Sequence, residues 1–269
     1  MSKLVRDLMH RGLITCHTDA TLGQLAAMMS NQYVHALVVC DRDQRPLGII
    51  SDFDLLAGEW LSADAESLEA MRNITAAELM STPIDTIEAD ASIVDAARCL
   101  VEDRIHRLMV TEDGKPVGII SISDFIAHLA ERGPVSREKV VDVMSDALLV
   151  CRRRTPITQA AAAMTSTGWR SITVVDATGA ARGMVSGFDL LPYVDKEGSD
   201  QITVGEVMHP PLTITMDASL REAVDMMIAN HYHRLIVVDP DAPDTFPLGQ
   251  ISSFDIVAEM AKPGSIWQQ

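Results

Sequence analysis

The sequence predicts an α+β fold in which one β-α-β-β-α unit is repeated four times. Three observations carry that prediction. Aligning the chain on Gly48, Gly118, Gly183 and Gly249 gives spacings of 70, 65 and 66 residues. Aligning it on Met9, Met80, Met144 and Met208 gives 71, 64 and 64. Between these anchors the same succession of apolar patterns recurs, the mark of a repeat architecture. The longest shared phrase, IHRLMVTEDGKPVGIISISDF at 105–125, returns at 232–255 as YHRLIVVDPDAPDTFPLGQISSFD.

Each unit opens with a short strand: LITC, IDTI, LLVC or LTIT. A helix follows. In the fourth unit Ser219 and Glu222 form a capping box, and Leu220, Ala223, Val224 and Met227 share one helix face. In the third unit Thr155 reads as the cap and Pro156 as the first helical residue. Two apolar strands come next, such as ALVVC then LGIIS, or RLMVT then VGIIS, joined by turn residues such as Asp113-Gly114. A second helix starts at a Ser-x-x-Asp. The repeats span 1–62, 74–131, 138–195 and 202–262, with wide connections at Gly58–Asn73 and His128–Lys139. A unit this short buries little alone, so the repeats must pair. Units two and four share a His-Arg pair that one and three lack, so consecutive repeats form two modules, 1–131 and 138–269.

Composition narrows the function. Apolar residues make up 47% and aromatics 4%, so the core is aliphatic and a packed domain is expected. No apolar run approaches the length of a membrane helix, and MSKLVRDLMHRGLITC does not read as a signal peptide. Cys16, Cys40, Cys99 and Cys151 are far apart with no C-x-x-C, as expected of buried thiols in a reducing cytoplasm. A net charge of −16 argues against nucleic acid as a partner. It also makes the few placed cations informative.

The four strings GIISDFD, GIISISD, GMVSGFD and GQISSFD carry Ser51 and Asp54, Ser121 and Asp124, Ser186 and Asp189, and Ser252 and Asp255. A Ser with an acid three residues on caps a helix. The other helix starts vary in their capping residues, and this one does not. A carboxylate here can also take the two vicinal hydroxyls of a ribose, the serine can face sugar or phosphate, and the glycine permits close backbone approach. His106-Arg107 and His233-Arg234 sit at strand starts, beside the other end of the same sheet, where an Arg fork suits phosphate. His35 and Arg170 hold the equivalent positions in units one and three. His231 and His233 form a His-x-His on one strand face, but no further ligand at suitable spacing supports a metal site. Arg152-Arg153-Arg154 could serve a phosphate but reads more readily as a solvated loop. No nucleophile–base signature, Walker loop or G-x-G-x-x-G is present, so no catalytic residues are assigned and no enzyme is expected.

These residues resemble the CBS domain, named after cystathionine β-synthase, over nearly the whole chain. Two such repeats form a Bateman module with pseudo-twofold symmetry. Four, with these His-Arg strands, are similar in arrangement to the gamma subunit of AMP-activated protein kinase. The resemblance implies adenosine-containing ligands, AMP, ADP or ATP, with no cofactor required. It implies that Asp54, Asp124, Asp189 and Asp255 hold ribose, assisted by Ser51, Ser121, Ser186 and Ser252. His106, Arg107, His233 and Arg234 would take phosphates, with His35 and Arg170 as weaker counterparts. Asp54 would then meet His106 and Arg107, and Asp189 would meet His233 and Arg234. The implied protein is a cytoplasmic energy sensor that signals to an effector protein in trans, with neither nucleic acid nor membrane as partner. Both a homodimer and an intramolecular four-repeat disc fit it. The alternatives are a sensor of S-adenosylmethionine or another purine compound, and a scaffold with vestigial sites.

Overall fold

The computed structural model describes residues 3–60, 73–131, 138–242 and 244–265. Each repeat supplies three strands to its sheet, and in repeat 2 the short strand His10–Arg11 adds a fourth. In every repeat the first strand is three residues long and pairs in parallel with the second, which pairs antiparallel with the third. In repeat 1 these are Thr15–His17, Ala36–Cys40 and Pro46–Ser51, with helices Leu22–Gln32 and Asp52–Trp60. Repeat 2 has Thr86–Glu88, Arg107–Glu112 and Lys115–Ser121, with helices Ile93–Glu102 and Ile122–Glu131. Repeat 3 has Val150–Arg152, Ser171–Val175 and Ala181–Ser186, with helix Ile157–Thr167 and a short second helix, Gly187–Leu190. Repeat 4 has Thr213–Thr215, Arg234–Val238 and Gly249–Ser252, with helices Leu220–Asn230 and Ser253–Ala261.

The local start signals act largely as read. Thr21 accepts from the Gln24 N–H, Ser92 from Asp95 and Ser219 from Glu222, each cap contributing about 1 kcal/mol. The expected face Leu220, Ala223, Val224 and Met227 is buried. Repeat 3 departs from expectation. Pro156 is the cap residue, with extended ψ, and the helix begins at Ile157. The Thr155 hydroxyl instead accepts the Arg152 N–H. The expected connections are also shorter than read: the second helices run on to Trp60 and Glu131, and 61–72 and 132–137 lie outside the described residues.

One element recurs four times that the repeat pattern did not include. A single helical turn precedes each first strand: Val5–Asp7, Ala76–Leu79, Val140–Val143 and Val204–Val207. Each is closed by an acid that accepts the N–H three residues earlier: Asp7 from Leu4, Glu78 from Thr75, Asp142 from Lys139 and Glu206 from Thr203. Each leader packs on a repeat other than the one it introduces. The first lies on repeat 2 and the second on repeat 1, through bridges Leu4–Ser92 and Thr21–Thr75. The third lies on repeat 4 and the fourth on repeat 3, through Lys139–Ser219 and Pro156–Thr203.

The chain packs as two compact units. One comprises Met1–Leu13, Asp85–Ala147 and Leu212–Gln269, the other Ile14–Ile84 and Leu148–Pro211. The first therefore holds repeats 2 and 4, and the second repeats 1 and 3. In the 2–4 unit the helix contacts are reciprocal: Ile93–Glu102 packs on Ser253–Ala261, and Leu220–Asn230 on Ile122–Glu131. Their seam is one aliphatic core around fully buried Phe125, with Leu100, Leu129, Val224 and Val257. Each such side chain stabilises by roughly 1.5–3 kcal/mol through burial. In the 1–3 unit Asp52–Trp60 packs on Ile157–Thr167, and Leu22–Gln32 on the turn Leu191–Tyr193. The second helix of repeat 3 stops early because Pro192 cannot continue it. Cys16 and Cys40 are buried, whereas Cys99 and Cys151 are only half-buried; all four are free thiols. Burial pushes the Cys16 and Cys151 thiols up to about 11. Among the described residues no helix is long and apolar enough to cross a membrane.

Candidate functional site

The Ser-x-x-Asp has the same geometry in all four repeats. The serine ends the third strand, and the aspartate lies in the first turn of the second helix. One carboxylate oxygen, Oδ2, accepts both the serine N–H and its hydroxyl. The distances are 2.7 and 2.7 Å for Ser51–Asp54, 2.6 and 2.7 Å for Ser121–Asp124, 2.8 and 2.7 Å for Ser186–Asp189, and 2.8 and 2.6 Å for Ser252–Asp255. Two donors fill the two lone pairs of that oxygen. Each aspartate is thus half spent on capping, and Oδ1 is the oxygen left for other chemistry.

The motif glycine has a protein partner. A Cβ on Gly118 would stand 2.2 Å from the His10 carbonyl oxygen, and on Gly249 2.2 Å from that of Ser145. On Gly48 and Gly183 it would meet the sulfurs of Met80 and Met208 at 2.6 Å. The close approach read from the sequence is therefore made by the leaders. The residue after each leader methionine pairs with the residue after the motif glycine: His10 with Ile119, Ser81 with Ile49, Ser145 with Gln250 and His209 with Met184.

That register brings two histidines to the motif. His10 Nδ1 lies 2.6 Å from Asp124 Oδ1, and His209 Nε2 lies 2.8 Å from Asp189 Oδ1. In the same register the other two leaders supply serines, Ser81 opposite Ile49 and Ser145 opposite Gln250. Asp124 is buried, and desolvation pushes its carboxyl up, against the opposing effects of the Ser121 hydrogen bonds and His10. Sequence reading missed both histidines. Their signal was present: each follows an anchor methionine, in Met9-His10 and Met208-His209.

The basic positions need a correction. They do not lie at the far end of the sheet from the motif. The antiparallel register sets Arg107 opposite Ser121 and Arg234 opposite Ser252, because the start of one hairpin strand faces the end of the next. The preceding carbonyl, of His35, His106, Arg170 or His233, accepts the first N–H of the second helix. In the 1–3 unit His35 and Arg170 serve another group. Asp52, 6% exposed, takes His35 Nδ1 at 3.0 Å and Arg170 at 3.2 Å. Phe188 lies 4.6 Å from the His35 ring, and Arg170 stacks 5.2 Å over Phe53. In the 2–4 unit the helix position of Asp52 is held by Ile122 and Ser253, and His106 packs 5.3 Å from Phe254. Arg107 and Arg234 are half-buried.

His231 closes the first helix of repeat 4 in the left-handed conformation, so it does not share a strand face with His233. Arg152 is not in a solvated loop; it ends the first strand of repeat 3, and its guanidinium donates to the Asp176 carbonyl. Among the described residues no three His, Cys, Asp or Glu side chains converge as metal ligands.

A CBS domain family model matches residues 5–59, 76–131, 140–196 and 204–262. An uncharacterized protein of Methanocaldococcus jannaschii is 29% identical over 146 residues, covering 48% of this chain and 34% of that protein, so the chain spans a minor part of that relative. Hypoxic response protein 1 of Mycobacterium tuberculosis is 29% identical over 136 residues, covering 51% of this chain and 92% of that protein. A solved M. jannaschii structure, described as a candidate archaeal homolog of g-AMPK, has a TM-score of 0.82 over 95% of this chain and 99% of that one. At 17% identity that likeness is one of fold.

Proposed function

The chain belongs to the CBS-domain family, a regulatory and non-catalytic one, and from that premise we propose that it senses adenine nucleotides in the cytoplasm and signals occupancy to an effector protein in trans. The observation that carries this reading is the fourfold Ser-x-x-Asp. Its serine holds one carboxylate oxygen, and the second would accept the hydroxyls of a ribose, in place of a histidine at Asp124 and Asp189. Phosphate recognition would fall to His106, Arg107, His233 and Arg234, placed at strand starts of a chain with net charge −16. An Arg fork matches phosphate oxygens, and charged hydrogen bonds of this type contribute roughly 1.5–3 kcal/mol each. AMP, ADP and ATP are the ligands this chemistry suits.

The commitment of His35 and Arg170 to Asp52 favours a second reading, a ligand of lower charge such as S-adenosylmethionine, because half of the repeats then lack a basic pair for phosphate. Calorimetric titration of the full chain with AMP, ADP, ATP and S-adenosylmethionine decides between them. Binding that strengthens with phosphate count supports the nucleotide reading. Binding of S-adenosylmethionine alone supports the second. No binding of any of the four overturns both.

A further inference from the structure

We propose that His10 and His209 are displaceable stoppers that set which of the four motif carboxylates a ligand fills first. This rests on the reading that those carboxylates hold ribose. The four sites are alike in the half of the aspartate that caps the helix and differ in the other half. At Asp124 and Asp189 the open oxygen already faces a histidine ring nitrogen, at 2.6 and 2.8 Å. At Asp54 and Asp255 the leader supplies Ser81 and Ser145 in the same register.

The pairing is local and reversible by geometry. The His10 side chain is 83% exposed while that of Asp124 is 3% exposed. The ring therefore lies mostly in solvent while the carboxylate that it bonds is buried. His209 is 48% exposed over Asp189 at 19%. A ribose needs the oxygen that the ring nitrogen occupies, since Oδ2 is already filled by the serine. Ligand entry at Asp124 or Asp189 must displace the histidine. Giving up a charge-assisted hydrogen bond costs about tenfold in affinity or more. Asp54 and Asp255 then fill first, and Asp124 and Asp189 only at higher concentration. Two of the four carboxylates form a sensitive pair and two a reserve pair, distinguished by a residue outside the motif.

The test is calorimetry of the full chain with AMP and with adenosine, using His10→Ser/His209→Ser and Asp54→Ala/Asp255→Ala. Serine is what the other two leaders carry, so the first variant keeps a side chain the fold already accepts. The wild type should show a tight and a weak phase. His10→Ser/His209→Ser should tighten the weak phase about tenfold and leave the tight one unchanged. Asp54→Ala/Asp255→Ala should remove the tight phase. If the histidine variant leaves the isotherm unaltered, or weakens it, while the aspartate variant still removes the tight phase, the stoppers are refuted and the ribose reading stands. If the aspartate variant also changes nothing, the ribose reading itself fails.

Discussion

The two units share one architecture and treat its cationic positions in opposite ways. In the 1–3 unit the first residue of the second helix in repeat 1 is Asp52, buried between His35 and Arg170. In the 2–4 unit the same position is Ile122 or Ser253. One residue therefore converts a pair of strand starts into an internal ion cluster. The units also differ where the leaders touch the motif glycines. In the 2–4 unit the contact nearest each glycine is a leader carbonyl; in the 1–3 unit it is a methionine sulfur. Recurrence of a motif does not make its four copies equivalent; the residues brought against each copy decide what it can bind.

The glycine contrast should give the largest effect. Gly118→Ala or Gly249→Ala drives a Cβ into backbone that cannot move without shifting the leader, and should cost about 3 kcal/mol. Gly48→Ala meets the end of a flexible methionine and should cost about 1 kcal/mol. Urea unfolding of the three variants measures this, and equal losses would remove the distinction.

Asp52→Ala leaves Arg170 and His35 without their counter-ion. Breaking a fully buried pair costs roughly 3–5 kcal/mol; with the partners about a third exposed, about 2 kcal/mol is expected. Replacing the whole cluster, as Asp52→Leu/Arg170→Met/His35→Phe, should recover most of that loss. A triple variant as unstable as Asp52→Ala would mean that the cluster contributes through packing and not charge.

Arg107→Ala and Arg234→Ala should each weaken ATP more than adenosine, by about 1.5 kcal/mol. Arg170→Ala, whose guanidinium is tied to Asp52, should change the ATP preference by less than about 0.5 kcal/mol. Titrations at fixed salt read both, and an Arg170 effect as large as that of Arg107 would erase the difference between units.

The smallest effect is in pH. Burial raises the Asp124 carboxyl, so the folded chain holds that proton more tightly than the unfolded one. The sign follows: stability from this group is present below the ordinary carboxylate pKa of about 4 and falls as pH rises through the raised value. Asp124→Asn should flatten that part of the stability–pH curve. An unchanged slope would show that the Ser121 hydrogen bonds and His10 offset the desolvation.

The sequence alone was enough for the four repeats, their element order, most of their helix caps and the four Ser-x-x-Asp motifs. These depend on contacts within a few residues, where periodicity and capping chemistry are local and repetition supplies four readings of each. The leaders were half legible. An acid, an apolar residue and a methionine recur at Asp7–Met9, Glu78–Met80, Asp142–Met144 and Glu206–Met208, but nothing local says that the turn they form packs on another repeat.

Tertiary structure decided what each motif copy meets. Asp124 and His10 are 114 positions apart, and Arg170 and Asp52 are separated by 118. No hydrophobic period links such pairs, and their chemistry is ambiguous alone: a lone histidine after a methionine, or an aspartate opening a helix, satisfies local rules without a partner. The grouping of repeat 2 with 4 and of 1 with 3 has the same origin. Each unit's core joins helices of two repeats, with Phe125 in one core and Leu55 and Leu56 in the other, and that side-chain fit exists only when the helices meet.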